Sequence, residues 1–301
     1  MSMAEPTDLL GQIYAEWTEE FTAVPDMSLR LMRIVFEDWQ RATAECPAVS
    51  YQNVAIGGVP GVLAAPLGAA ECEILVLMHG GGFALGSSAS HRKLAGHLAS
   101  ACDAQAFVVD FRLAPEHKYP AAIEDGLAVV DALLEQGHSM SDITLVGDSA
   151  GGNLAIAMVL RLLQDGSEPP SGVVTISPWL NMENDGETIE TNNDTDFLIT
   201  REGLQGNIDR YIDGAADPTD PLVNPLYADL TGFPRLYICA GDVESLYSDS
   251  VRLHLLAQKQ GVDVTFSVGK GQQHVYPIMA GNNSSADEEI ASIAAWYREG
   301  R

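Results

Sequence analysis

What most constrains this chain is a succession of short, nearly all-apolar runs separated by helical segments. Ile74–Met78, Ala106–Val109, Ile143–Val146, Val173–Ile176, Leu236–Cys239 and Val264–Val268 read as strands. The segments near 90–101, 120–136, 151–164, 245–260 and 286–299 read as helices. A strand wet on one face alternates apolar and polar residues; runs without that alternation are covered on both faces. Strands and helices in turn give a mostly parallel sheet with helices on both sides. Two earlier strands, 51–56 and 61–65, flank the turn Gly57-Gly58-Val59-Pro60. The predicted architecture is an α/β fold with a mostly parallel eight-stranded sheet.

Two stretches break the rhythm. Residues 5–45 read as two helices split near Pro25-Asp26. The second crowds Leu29, Met32, Ile34, Val35, Phe36 and Trp39 onto a broad apolar face, which is expected to pack on the rest of the chain. Residues 178–234 hold Pro, Asn and Asp clusters with one helix near 201–213. So long an insertion between strands is expected to form a lid. Its place would be above the carboxyl ends of the strands, where open α/β sheets bind ligands.

Charge narrows the partners. Lys and Arg number 16 against 42 Asp and Glu, a net charge of -26. Phosphate binding needs a basic face, so nucleic acid is excluded as a partner, and an anionic membrane surface is disfavoured on the same ground. The only lysines are Lys93, Lys118, Lys259 and Lys270. Such an acid-rich, lysine-poor surface suits a saline habitat or serves solubility alone. Cys46, Cys72, Cys102 and Cys239 are not spaced as a metal pair or a redox motif, and read as reduced structural cysteines. No metal and no cofactor is expected. Met1–Glu5 lacks the positive and apolar regions of a signal peptide, and no apolar run reaches membrane-spanning length. A soluble, cytoplasmic protein is the expectation.

Three segments carry chemistry. Gly147-Asp148-Ser149-Ala150-Gly151 follows the strand ending at Val146 and opens a helix. This is the G-x-S-x-G elbow, which lifts a serine off the sheet edge at a helix N-terminus. The rival reading is an ordinary glycine-rich strand–helix turn with a surface serine; the strand–turn–helix context sharpens the match to the elbow. His79-Gly80-Gly81-Gly82-Phe83 ends an earlier strand. Its glycines let backbone N–H groups approach a substrate oxygen with no Cβ in the way, and the N–H of Ala150 would add a further donor. Of seven histidines, only His254 and His274 lie beyond the strand Leu236–Cys239. His254 falls mid-helix, whereas His274 sits in a polar loop after the last strand, where a base could reach Ser149. The acid should lie just beyond Cys239, and both Asp242 and Glu244 are candidates. Either could fix the imidazole tautomer.

Together, HGGGF at 79–83, GDSAGGN at 147–153 and RLAPEHKYP at 112–120 resemble the bacterial hormone-sensitive-lipase family of esterases, on the α/β-hydrolase fold. The resemblance spans roughly residues 50–295, with an N-terminal cap added. It implies cap helices over 1–48 and a catalytic domain over 49–301, with a cap insertion at 180–232. It implies Ser149 as nucleophile, His274 as base, and Gly81, Gly82 and Ala150 as the oxyanion hole. Many members carry Asp-Pro-Leu at the acid position, and this chain does not. Glu244-Ser245-Leu246 matches the register of a subgroup that uses glutamate, 30 residues before His274, so Glu244 is preferred to Asp242. Arg112, Glu116 and His117 are read as supports of the oxyanion loop, not as catalytic groups. The implied function is hydrolysis of short-acyl esters through an acyl-serine. Lactone hydrolysis, acyl transfer and a non-catalytic small-molecule receptor are the rival readings. Relatives often pair through the last strand, so a homodimer is also implied.

Overall fold

In the computed structural model, which describes residues 6, 8–24 and 26–300, the apolar runs assemble side by side at the centre of the molecule. The chain begins with α1 (Leu9–Ala23), α2 (Leu29–Phe36) and a 3-10 turn (Glu37–Arg41). The hairpin β1 (Val49–Ile56) and β2 (Val59–Pro66) follows. Then come β3 (Ala70–Met78), α3 (Ser88–Cys102), β4 (Ala104–Val109), α4 (Ala121–Glu135), β5 (Ile143–Asp148), α5 (Ala150–Gln164) and β6 (Gly172–Ile176). The insertion holds α6 (Glu187–Thr191) and α7 (Arg201–Tyr211). The chain closes with β7 (Leu236–Gly241), α8 (Tyr247–Lys259), β8 (Val264–Gly269) and α9 (Ser284–Glu299).

The eight strands form one sheet in the order β1-β2-β4-β3-β5-β6-β7-β8. β2 pairs antiparallel with both β1 and β4, and every other neighbouring pair is parallel. Side chains of a strand point alternately to opposite faces. Ile74, Val76 and Met78 of β3 therefore join one apolar cluster with α4, α5 and α8. Leu75 and Leu77 join the other, with α1, α3 and α9. The same split separates Leu236 and Ile238 from Tyr237 and Cys239 in β7. Two buried faces explain why the central strands show no polar alternation in sequence. β8 lies at the sheet edge and is only half-buried.

The N-terminal helices are part of this core. Tyr14, Trp17, Phe36 and Trp39 pack ring against ring, with centroids 5.0–6.4 Å apart. Burying each such side chain stabilises by about 1.5–3 kcal/mol, a larger sum than an eight-residue helix could supply through its own hydrogen bonds. The apolar face expected on the second helix is narrower than the sequence suggested. Trp39 lies in the 3-10 turn, and Ile34 is 61% exposed, pointing away from the body. The helix expected from 245 begins at Tyr247, because 242–246 form the turn that carries the acidic candidates. The insertion also contains the short α6, which the sequence pattern did not reveal. Pro25 and Met1–Glu5 lie outside the described residues. Among the described residues no helix is long and apolar enough to cross a membrane, and no cluster of His, Cys, Asp or Glu is arranged to hold a metal ion. Among the described residues no disulfide joins the four cysteines; Cys239 is buried, while Cys72 is exposed.

Candidate active site

Ser149 stands where β5 turns into α5, with φ 52° and ψ −122°, a strained backbone for a residue bearing a Cβ. The turn closes this tightly because its neighbours lack side chains. A Cβ on Gly147 would lie 2.1 Å from the carbonyl oxygen of Gly151, and one on Gly151 would lie 1.9 Å from that of Met78. The backbone is tied down at both ends. Ser149 N–H donates to the Ile176 carbonyl at 2.9 Å, and Trp179 N–H donates to the Ser149 carbonyl at 3.0 Å.

The glycine loop lies beside this turn, after β3. Asp148 joins the two: its Oδ1 accepts from Gly80 N–H at 3.1 Å, and its Oδ2 meets His91 Nε2 at 3.3 Å. Asp148 and His91 are both buried, and His79 stacks on Phe111 beneath the loop. Burial, and then the neighbouring His91, hold His79 down to about 4, so it is a neutral ring that props the loop. Gly82 has φ 61°, and a Cβ there would lie 2.2 Å from Nδ2 of Asn207 on α7. Among the described residues no acceptor takes the N–H of Gly81, Gly82 or Ala150. From below, Arg33 Nε donates to the Ala84 carbonyl at 2.8 Å, and its Nη atoms reach the Ala114 carbonyl and Glu116. Glu116 thereby supports the loop, as the sequence suggested. Arg112 does not touch the loop; it is engaged instead with Asp125 and the exposed Glu124 on α4.

His274 follows β8, and its Nδ1 bonds Glu244 Oε2 at 2.7 Å, with both side chains buried. Asp242 is turned elsewhere, accepting from Gly271 N–H at 2.6 Å. His254 is in α8, away from this site, as expected. Two backbone atoms fix the histidine loop: the His274 carbonyl accepts from Tyr14 Oη at 2.8 Å, and Val275 N–H donates to Ser177 Oγ at 2.9 Å. Burial opposes a charge on His274. The carboxylate of Glu244 and its hydrogen bond, helped by Asp196 and Asp148, outweigh that and raise its affinity for a proton above the ordinary histidine value. Burial likewise pushes the Glu244 carboxyl up, and the histidine opposes that push. The histidine's direction governs the pair, because several carboxylates converge on one imidazole.

Ser149, Gly81, Gly82 and His274 line one cavity of about 380 Å³. Its outer wall comes from Trp17 and Phe21 of α1, Met32 and Phe36 of α2, and Leu204 and Asn207 of α7. No hydrogen bond joins Ser149 to His274; such bonds often tighten only with substrate in place. Sequence reasoning missed Asp148, Tyr14 and Ser177. Asp148 stood inside the serine motif as a variable letter, while Tyr14 and Ser177 are 260 and 98 residues from the positions they bond, with no local signal to mark them.

Residues 75–278 match the family model described as the alpha/beta hydrolase fold. An esterase of Acinetobacter venetianus is 36% identical over 263 residues, covering 87% of this chain and 86% of its own. An acetyl-hydrolase of Streptomyces hygroscopicus is 39% identical over 202 residues, 67% of each chain. The crystal structure of an esterase from the bacterial hormone-sensitive lipase family superposes with a TM-score of 0.92 at 31% identity, covering 98% of this chain and 99% of that one. A hormone-sensitive-lipase homologue from a metagenome library gives a TM-score of 0.89 at 31% identity over 99% of both chains. With its elbow serine, its glycine loop and its buried Glu–His pair around one cavity, the chain belongs to the α/β-hydrolase fold family, among the esterases of the bacterial hormone-sensitive-lipase type.

Proposed function

We propose that the protein is a carboxylesterase that cleaves short-acyl esters through an acyl-serine, with Ser149, His274 and Glu244 as the triad. The observation that carries this reading is the convergence of Ser149, the Glu244-bonded His274 and unengaged glycine amides on one cavity. Ser149 Oγ attacks the ester carbonyl as His274 Nε2 takes its proton. The carbonyl oxygen, now negative, rests on the N–H groups of Gly81, Gly82 and Ala150. The imidazolium, held by Glu244, protonates the leaving alkoxide, and the alcohol departs. His274 then deprotonates a water that attacks the acyl-serine. The second tetrahedral intermediate collapses, Ser149 regains its proton, and the acid is released.

The helices within 1–48 and the insertion 180–232 act as a cap over the domain 49–301 and supply the outer wall, aromatic on the N-terminal side, that takes the acyl or alcohol group. A cavity of about 380 Å³ suits a small ester better than a long chain. The test is hydrolysis of p-nitrophenyl esters with two to twelve acyl carbons, by the wild type and by Ser149→Ala. Turnover is expected to peak at the short end and to vanish in the variant, since nucleophile and base act as a unit. A retained rate in Ser149→Ala would remove the mechanism. An optimum at long chains would make the protein a lipase rather than a short-chain esterase.

A further inference from the structure

The insertion does more than roof the cavity: its segment 192–198 reaches under the roof and grips both catalytic loops. Asn192 Nδ2 donates to the carbonyls of Asp242 and Glu244 at 3.0 and 2.9 Å. Thr195 Oγ1 donates to the Val243 carbonyl at 3.0 Å. On the histidine side, Gln273 Nε2 donates to the Thr195 carbonyl at 2.8 Å, and Phe197 N–H donates to Gln273 Oε1 at 3.1 Å. Thr18 of α1 donates to the Phe197 carbonyl at 2.6 Å, joining the N-terminal helices to the same segment.

At the centre of this segment is Asp196, a carboxylate only 3% exposed that neither the proposed triad nor the oxyanion loop uses. Its Oδ2 accepts from Ser245 N–H at 2.6 Å, directly after Glu244. Its Oδ1 accepts from Leu198 N–H and Ile199 N–H, both at 2.8 Å. Leu198 and Ile199 in turn line the cavity. One side chain thus holds the backbone of the acid and the backbone of the substrate wall.

Building on the esterase reading above, we propose that Asp196 is a positioning residue of the reaction: it fixes the Glu244 turn against the cavity wall and places a second buried negative charge behind His274. A buried carboxylate is costly without partners, and three amide donors offset that cost here. The charges facing His274 are Glu244 on the turn after β7, Asp196 on the insertion and Asp148 at the end of β5; Tyr14 of α1 faces its carbonyl. Each carboxylate favours the imidazolium that forms in the transition state. Removing Asp196 weakens that preference and loosens Glu244 together.

The test uses the full chain with Asp196→Asn, which keeps the shape and loses the charge. Asp196→Ser is the second variant, since its hydroxyl can still accept from the amide two or three residues on and so keep the local turn. For both, kcat on p-nitrophenyl acetate is expected to fall tenfold or more with KM within twofold. The acid limb of kcat/KM is expected to move to lower pH, and the thermal midpoint to stay close to wild type. A purely structural role would lower the midpoint and leave the acid limb in place. Folded variants with wild-type kcat and acid limb overturn the proposal, as does failure of both variants to fold, which would make Asp196 a structural residue of the cap. Ser149→Ala, assayed alongside, separates the two levels. If it retains activity, the esterase mechanism fails; if it is inactive while Asp196→Asn behaves as wild type, only this inference fails.

Discussion

At the residue scale, two carboxylates two positions apart have different surroundings. Glu244 is buried on the imidazole, while Asp242 caps the Gly271 amide at the surface. Glu244→Gln is expected to lower kcat by on the order of 10³- to 10⁴-fold, because the imidazole loses both its tautomer lock and its counter-charge. Asp242→Asn should stay within about twofold, as a surface substitution does. A collapse confined to Asp242→Asn would reverse the assignment. The pH profile tests the same contact. In the proposed mechanism His274 must be unprotonated to accept the proton of Ser149, and its neighbours raise its proton affinity. Activity should therefore disappear as pH falls, with the acid limb of kcat/KM centred above the ordinary histidine value of 6.5. In Glu244→Gln the residual activity should show that limb displaced downward. A wild-type limb at or below 6.5 would mean that burial outweighs the carboxylates.

At the element scale, the site is a junction of loops held by their supporting strands and helices. β5 delivers Ser149, β3 the glycine loop, β7 Glu244 and β8 His274, all at carboxyl ends of strands, where an α/β sheet leaves a crevice. The serine motif and the glycine loop were legible in sequence because each function is carried by consecutive residues whose small size a tight turn demands. The grip of Asp148 on Gly80 was not, since it spans 68 residues and depends on β3 and β5 being neighbours. The glycine loop also meets the insertion. Gly82→Ala would place a methyl group against Asn207 of α7 and strain a backbone at φ 61°. The substitution should lower kcat by on the order of 10²- to 10³-fold, the usual cost of spoiling one oxyanion donor. Unchanged kcat in a folded Gly82→Ala variant would show that this amide does not bear the developing charge.

At the scale of the whole molecule, 42 acidic against 16 basic residues leave a net charge of -26, and self-repulsion opposes the compact state. Most of the arginines are already paired at the surface, as in Arg33–Glu116, Arg92–Glu45 and Arg201–Glu190. Such exposed pairs contribute little individually, so relief of repulsion should dominate the response to salt. Raising sodium chloride toward 1 M shortens the screening length to about 3 Å and should raise the thermal midpoint. A gain of about 1 kcal/mol would appear as ~2–4 °C. A midpoint that falls with salt would mean that the ion pairs outweigh the repulsion.

The sequence by itself determined the sheet, its parallel order of strand and helix, the elbow at Ser149, the glycine loop and the loop position of His274. These follow from local rules: apolar runs too long to face water, and small residues where a turn must close. Only the tertiary structure decided that Glu244 rather than Asp242 meets the imidazole, that Ile34 points outward, and that Asp148, Tyr14, Ser177 and Asp196 stand around the loops that carry Ser149, Glu244 and His274. Those outcomes depend on which distant segments become neighbours when both faces of the sheet are covered. A hydrogen bond between residues 260 positions apart leaves no periodicity in the chain that makes it.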